Sequence, residues 1–294
     1  MSIAPGNWSA LASLPGMDDD EFERWASLLE KRTGVVVPLT RKAFLVTSVR
    51  GRMRETSRSS FEEYFSDLQK VPEGAIEWTT LVDRLTVHET HFFRHPPSFE
   101  LIAKDWLPKV MTSAQGALHA WSVGCSSGEE AYTLAMVLDR HIAAAKTAKT
   151  AKVYFGVTAT DVSLPALAVG RGGLYPQSKI EEIPADYRER YCEPLDGDTF
   201  RVTEALRKRV GFASFNLLDV AHAPLKRLDL IFCQNVLIYF ARERRRELLA
   251  AFANLLKPGG LLVLGSGEVT NFAHVKLKRL ENRKVLAFLR MSST

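Results

Sequence analysis

The chain has 294 residues, 46% of them hydrophobic and 25% charged, which suits two domains, or one large domain with an insertion, and can build a core. No apolar run approaches the roughly 20 residues that span a bilayer, and the opening MSIAPGNWSALASLPG lacks a basic stretch followed by a long apolar one. A soluble, cytoplasmic chain without membrane insertion is therefore expected. Net charge is +5, and Cys125, Cys192 and Cys233 are odd in number and lack CxxC spacing, which argues against a disulfide framework and a zinc knuckle.

Residues 1–16, rich in Ala, Ser, Pro and Gly, read as a flexible tail. MDDDEFERWASLLEKRTG then has acids in its first turn, Phe22, Trp25, Leu28 and Leu29 at helical spacing, and Gly34 as a stop, so it is a helix. Helical patterns recur at about 40–56, 60–70 and 74–88, which makes 17–90 an all-helical N-terminal domain. Between Pro38 and Ser60 stand Arg41, Lys42, Arg50, Arg52, Arg54 and Arg58 against Glu55 alone. Phe44, Leu45, Val49 and Met53 give this helix an apolar side. The basic run suits a solvated face, a nucleic-acid patch or a dock for an acidic protein; no aromatic interleaving favours nucleic acid.

HETHFFRH, residues 88–95, holds three histidines. The zinc-protease pattern needs two histidines four apart with Glu directly after the first, and here His91 and His95 have the spacing but Phe92 follows. No metal is expected. The bland alternative is a loop or helix end with Phe92 and Phe93 buried.

After Gly116 strands alternate with helices. LHAWSVG reads as a strand, GEEAYTLAMVLDRHIAAA as a helix and KVYFGVTATD as a strand; VGFASFN and LDLIFCQNVLIYF follow as strands, then the helix ARERRRELLAAFANLLK, the turn PGG and the strand LLVLGSGE. This alternation implies a parallel doubly wound sheet with ligands at the carboxyl ends of its strands. Residues 171–209 are less regular, with DGD as a tight turn, and read as an inserted small β unit.

The turn after the first strand, GCSSG, is neither a GxGxxG nor a P-loop, so phosphate is not indicated. Glu129 and Glu130 follow at a helix N-terminus, where they either complement the helix dipole or attract a cation. Asp161 ends the second strand, where an acid accepts from both hydroxyls of a ribose; the alternative is a helix cap. Ribose, cationic end and no phosphate together describe S-adenosylmethionine.

Here FFR, WSVGCSSGEEAYTLAM, ATDVSLPALAVGRGGLY, FNLLD, IFCQNVLIYF and LLKPGGLLVLGSGE together resemble, in matching order from about residue 20 to 290, the CheR family of chemotaxis receptor methyltransferases. The resemblance implies a Rossmann-like S-adenosylmethionine methyltransferase domain over 91–294, with an inserted small antiparallel β subdomain, preceded by the all-helical domain. It implies methylation of glutamate carboxylates on chemoreceptors, with S-adenosylmethionine as cofactor, S-adenosylhomocysteine as product and no metal. Cofactor-binding positions would be His88, Thr90, Arg94, Gly124, Glu130, Asp161, Asn216, Leu217, Gln234 and Asn235. Arg94 and Tyr239 would lie near the transferred methyl as the catalytic pair, although without the resemblance Tyr239 reads as a core aromatic. His88 departs from the family's usual Asn, Gln234 from an Arg and GSGE from GHSE. Arg41, Lys42, Arg50, Arg52 and Arg54 would contact the acidic helical cytoplasmic region of the receptor. A monomer that binds no nucleic acid is expected. The alternatives are a methyltransferase for another acceptor and a non-catalytic binder of the same cofactor.

Overall fold

The computed structural model describes residues 16–86, 88–113, 116–146, 153–269 and 272–292; the expected tail, apart from Gly16, lies outside them. The chain forms two compact units, one ending at residue 87 and one starting at His88.

The first unit is helical: α1 (Asp19–Thr33), α2 (Lys42–Glu55), α3 (Phe61–Asp67) and α4 (Glu73–Leu85). Asp18 caps α1 by accepting the Glu21 N–H at 2.8 Å, and Gly34, at φ +77°, turns its N–H back to the Glu30 carbonyl at 2.7 Å. Helix α2 buries Leu45, Val49 and Met53 completely, an i, i+4, i+8 stripe. Phe44, expected on that apolar side, is exposed.

The basic face of α2 is smaller than the sequence suggests. Arg52 donates to both oxygens of Glu77 on α4, at 2.8 and 2.6 Å, and pairs with Glu55. Glu77 also accepts the Tyr64 hydroxyl. This correction removes Arg52 from the surface set: only 12% of its side chain is exposed, and its charge joins two helices instead of facing solvent. Lys42 pairs with Asp19 at 2.6 Å, Arg50 lies over the Phe61 ring, and Arg41 and Arg54 are exposed.

The second unit opens with α5 (Pro96–Glu100), a π-helical turn at Leu101–Trp106 and α6 (Leu107–Ser113), a helical run absent from the sequence reading. It continues β1 (Ala117–Val123), α7 (Glu129–Lys146), β2 (Tyr154–Asp161), α8 (Leu164–Gly172), β3 (Leu174–Pro176), α9 (Ala185–Tyr191), β4 (Cys192–Pro194), β5 (Thr199–Val202), α10 (Glu204–Arg207), β6 (Val210–Ser214), β7 (Leu228–Cys233), α11 (Arg242–Leu255), β8 (Leu256–Leu264), β9 (Leu277–Arg279) and β10 (Leu286–Arg290). Seven strands form one sheet in the order β6-β2-β1-β7-β8-β10-β9, parallel from β6 to β8. Strand β10 runs antiparallel to both neighbours, so the all-parallel expectation is corrected at that edge. The small unit is the antiparallel sheet β3-β5-β4.

Two strand readings were too long. LDLIFCQNVLIYF is a strand only to Cys233, with Leu237–Tyr239 a 3-10 turn, and LLVLGSGE is a strand only to Leu264. After Cys233 the apolar run continues because Leu237 and Phe240 of the following loop are buried. Among the described residues no helix is long and apolar enough to cross a membrane.

Candidate active site

Strand order reverses at β1: β2 and β6 lie on one side, β7 and β8 on the other. Doubly wound sheets open their ligand crevice at such a reversal, beyond the carboxyl ends of the strands. The candidate residues from Gly124 to Tyr239 lie at that edge.

The turn after β1 is built by glycine. Gly124 sits at φ +65°, and a Cβ there would stand 2.4 Å from Cγ2 of Val236 on the β7 loop. Only glycine allows both the conformation and the approach. The Ser126 N–H donates to Asp161 Oδ2 at 2.8 Å and the Ser163 N–H to Oδ1 at 2.9 Å. Asp161 thus ties together the ends of β1 and β2, and each oxygen keeps a lone pair for a further donor. The capping alternative is corrected: Ser163 caps α8 by accepting the Ala166 N–H at 3.1 Å.

The two adjacent acids divide. Glu129 is buried, accepts from Ser127 Oγ at 2.7 Å and forms an ion pair with Lys179. It anchors the small β unit. Glu130 accepts the Ser122 hydroxyl at 2.7 Å through Oε1, and Oε2 has no hydrogen-bond partner among the described residues. Burial pushes its carboxyl up to about 8, opposed by the Ser122 hydrogen bond, reinforced by the neighbouring Glu268 and opposed again by Arg94.

The 88–95 segment is latched onto this turn. The His88 carbonyl accepts from Ser126 Oγ at 3.4 Å and the Thr90 carbonyl from Lys179 at 3.2 Å. Glu182 accepts the Phe92 N–H at 2.8 Å and meets His91 Nδ1 at 3.0 Å; His95 Nδ1 lies 2.8 Å from Ser98 Oγ. Phe92 is buried, and Phe93 is partly buried against the same core. Arg94 is exposed, donates to the Glu89 carbonyl at 2.9 Å and lies within electrostatic reach of Glu130. Among the described residues no group of three or more His, Cys, Asp or Glu side chains is placed to hold a metal ion.

The β7 loop carries Gln234, Asn235 and Tyr239. Glu268 accepts the Val236 and Leu237 N–H groups at 2.7 and 3.0 Å and the Gly265 N–H at 2.6 Å. Arg245 donates to the Ile238, Phe240 and Glu268 carbonyls at 3.0, 2.8 and 3.2 Å. Between these clips Asn235 adopts φ +61°. Gln234 Nε2 is spent on Ser98 Oγ at 2.9 Å and the Leu264 carbonyl at 3.0 Å, which leaves its amide oxygen for a ligand. Tyr239 is partly buried against the core beneath β7 and β8. After β6, the Asn216 Oδ1 accepts the Leu218 N–H at 3.0 Å and caps a 3-10 turn whose first residue, Leu217, is buried.

The sequence reading missed Glu268, Arg245, Lys179, Glu182 and Ser122. An acid at the end of GSGE, just past a strand, was a usable signal for Glu268. Nothing in RERRR distinguishes Arg245 from its neighbours. Together Glu130, Asp161 and Glu268 give the strand ends an acidic floor that favours a cationic, hydroxyl-bearing ligand and disfavours a pyrophosphate.

Two family models match the chain: the CheR methyltransferase all-alpha domain over residues 20–86 and the CheR methyltransferase SAM binding domain over residues 88–286. The chemotaxis protein methyltransferase of Borreliella burgdorferi is 32% identical over 253 residues, 85% of this chain and 88% of that protein. Chemotaxis protein methyltransferase Cher2 of Pseudomonas putida is 32% identical over 85% of this chain and 90% of its own length. The chemotaxis protein methyltransferase of Escherichia coli is 31% identical over 88% of this chain and 87% of its own length.

Glu130 gives a pH test. A carboxyl raised on folding binds more protons in the native state than in the unfolded one between its ordinary value, near 4.5, and about 8. Its contribution to stability is therefore lost as pH rises through that window. The midpoint of chemical denaturation of the unliganded wild type should fall relative to Glu130→Gln from pH 5 to pH 8; a difference constant across that range contradicts the assignment.

Proposed function

Because the chain belongs to the CheR methyltransferase family, with a SAM-binding domain behind an all-alpha domain, we propose that it esterifies glutamate side chains of chemoreceptors. The observation that carries this reading is the group of acids at the strand ends, with Asp161 tying two of them and Glu130 engaged through one oxygen by Ser122. S-adenosylmethionine supplies a methyl group made electrophilic by its sulfonium.

In this reading Glu130 holds the cationic methionine end, becoming ionised as it does so, and Asp161 accepts from the ribose hydroxyls. Asn216, Leu217, Gln234, Asn235 and Gly124 shape the adenine side and the crevice wall, with His88 and Thr90 closing it from the 88–95 segment. A glutamate acceptor, with an ordinary pKa near 4.3, is already ionised at neutral pH, so no side chain need act as general base. The chain's contribution is to orient and desolvate the carboxylate for in-line displacement. In this reading Arg94 holds that anion and Tyr239 steers it with its hydroxyl. The acceptor is the acidic helical region of a receptor, in the cytoplasm, and the basic surface of α2 attracts it.

Three experiments test this reading. Incubation with methyl-labelled S-adenosylmethionine and candidate receptors should give label that alkali releases, since carboxyl esters hydrolyse readily; alkali-stable label overturns the glutamate assignment. Asp161→Ala should weaken cofactor binding about 10- to 150-fold, the loss of a charged acceptor worth roughly 1.5–3 kcal/mol; unchanged calorimetric affinity in a folded variant removes Asp161 from the site. Arg41→Glu with Arg54→Glu, both exposed, should lower receptor methylation and its salt sensitivity while sparing cofactor affinity. Wild-type receptor kinetics in this double variant at low salt would leave α2 a mere surface.

A further inference from the structure

The β9–β10 hairpin carries a basic cluster that none of the roles above uses. Residues 276–284, KLKRLENRK, hold five basic residues against one acid. Lys276 donates to the Asn254 side chain at 2.6 Å. Lys278, Arg279, Arg283 and Lys284 are exposed, and among the described residues none of them pairs with a carboxylate.

The register places this hairpin at the active edge. Cys233 on β7 lies beside Leu264 on β8, and Leu264 beside Leu286 on β10. Strand spacing of 4.7–4.9 Å puts Leu286 about 10 Å from the end of β7. Strand β9 runs in the direction of β8, because both are antiparallel to β10, so the loop at 280–285 emerges on the same edge as the loop bearing Asn235 and Tyr239. The loop is ordered by its own sequence: Asn282 Oδ1 accepts the Lys284 and Val285 N–H groups at 2.8 and 3.0 Å, and Val285 is buried. The anchored turn presents Arg283 and Lys284 outward as a pair.

Lysine on an edge strand also prevents strand-to-strand aggregation. That accounts for Lys278 and Arg279, which sit on β9 itself. Arg283 and Lys284 lie in the connecting loop, where there is no ladder to protect.

We propose that the 280–285 loop, through Arg283 and Lys284, is a docking surface for the acidic surface of the acceptor protein beside the carboxylate to be methylated. The proposal rests on the glutamate reading above. An acceptor anion approaching the strand ends passes Asp161, and cations on the neighbouring loop attract it where screening is incomplete, the Debye length being about 10 Å at 0.1 M salt. Such rim charges change the rate of encounter and its salt dependence more than the chemical step.

The test compares wild type, Arg283→Glu/Lys284→Glu and the charge-preserving Arg283→Lys/Lys284→Arg, using full-length chain, a receptor cytoplasmic fragment and labelled S-adenosylmethionine. At low salt the reversed variant should raise the KM for the receptor about tenfold, with kcat and calorimetric cofactor affinity unchanged. The difference should shrink at high salt, and the charge-preserving variant should match wild type. Equal KM values for wild type and the reversed variant at low salt overturn this inference alone. Absence of alkali-labile label with wild type overturns it together with the glutamate reading. A KM rise in the charge-preserving variant also overturns it, by showing that shape and not charge is read.

Discussion

The buried carboxylate of Glu268 is the constraint on which the ligand edge depends. It is 1% exposed and accepts three backbone N–H groups from two different loops. Burial raises its pKa, and those same three donors oppose the rise. A buried polar group costs free energy unless it is satisfied, and here the satisfaction is mutual: Glu268 needs the N–H groups, and the β7 loop, which is neither helix nor strand, needs an acceptor. Arg245 completes the arrangement from the opposite polarity by taking the carbonyls of that loop. With donors and acceptors both fixed, Asn235 is held in a left-handed conformation that a non-glycine residue rarely adopts. The acid that organises the loop also contributes to the field at Glu130, so architecture and electrostatics share one side chain.

A second latch works from the inserted β unit. Lys179 reaches both Glu129 and the Thr90 carbonyl, and Glu182 grips the Phe92 N–H and His91. The histidine-rich stretch is thereby pinned from outside the sheet. His91 and His95 hold positions in a loop, through Glu182 and Ser98. The latch also separates Glu129 from Glu130, which sequence alone treats as a pair. Consecutive helical residues project about 100° apart, so only one can face the sheet end while the other turns to the insertion.

Much of the fold was legible because it rests on local signals. Asp18 and Gly34 bracket α1 as a cap and a stop should, and the alternation of apolar strands with amphipathic helices dictates the parallel part of the sheet. What was illegible is nonlocal. The run NVLIYF is apolar because Leu237 and Phe240 are buried, yet its backbone is satisfied by Glu268 and Arg245 instead of by a strand, and no pattern within the run reveals that. The antiparallel β9, Leu-Lys-Arg, and β10, Leu-Ala-Phe-Leu-Arg, are too short to carry a clear periodicity. Arg52 read as surface charge because its partner, Glu77, lies on another helix. At the candidate site, residues at strand ends could be located from the motifs, whereas the division between Glu129 and Glu130 required Lys179 and Ser122 to be seen in place.

The charge pattern carries a final implication for how the proposed reaction divides its labour. The floor of the site is acidic, which favours a cationic cofactor but repels the carboxylate that must attack it. These requirements conflict if one surface must meet both. The chain separates them in space: carboxyl groups lie at the strand ends, while guanidinium and ammonium groups lie at the exposed rim, on Arg94 and on the hairpin after β9. A buried cation beside the floor would pair with Glu130 and cancel the preference for the cofactor. Lys179, an ammonium that reaches a buried acid, is committed to Glu129. Placing the remaining cations at the rim leaves Glu130 available and still gives an approaching anion a favourable path, one whose dependence on ionic strength follows from its exposure.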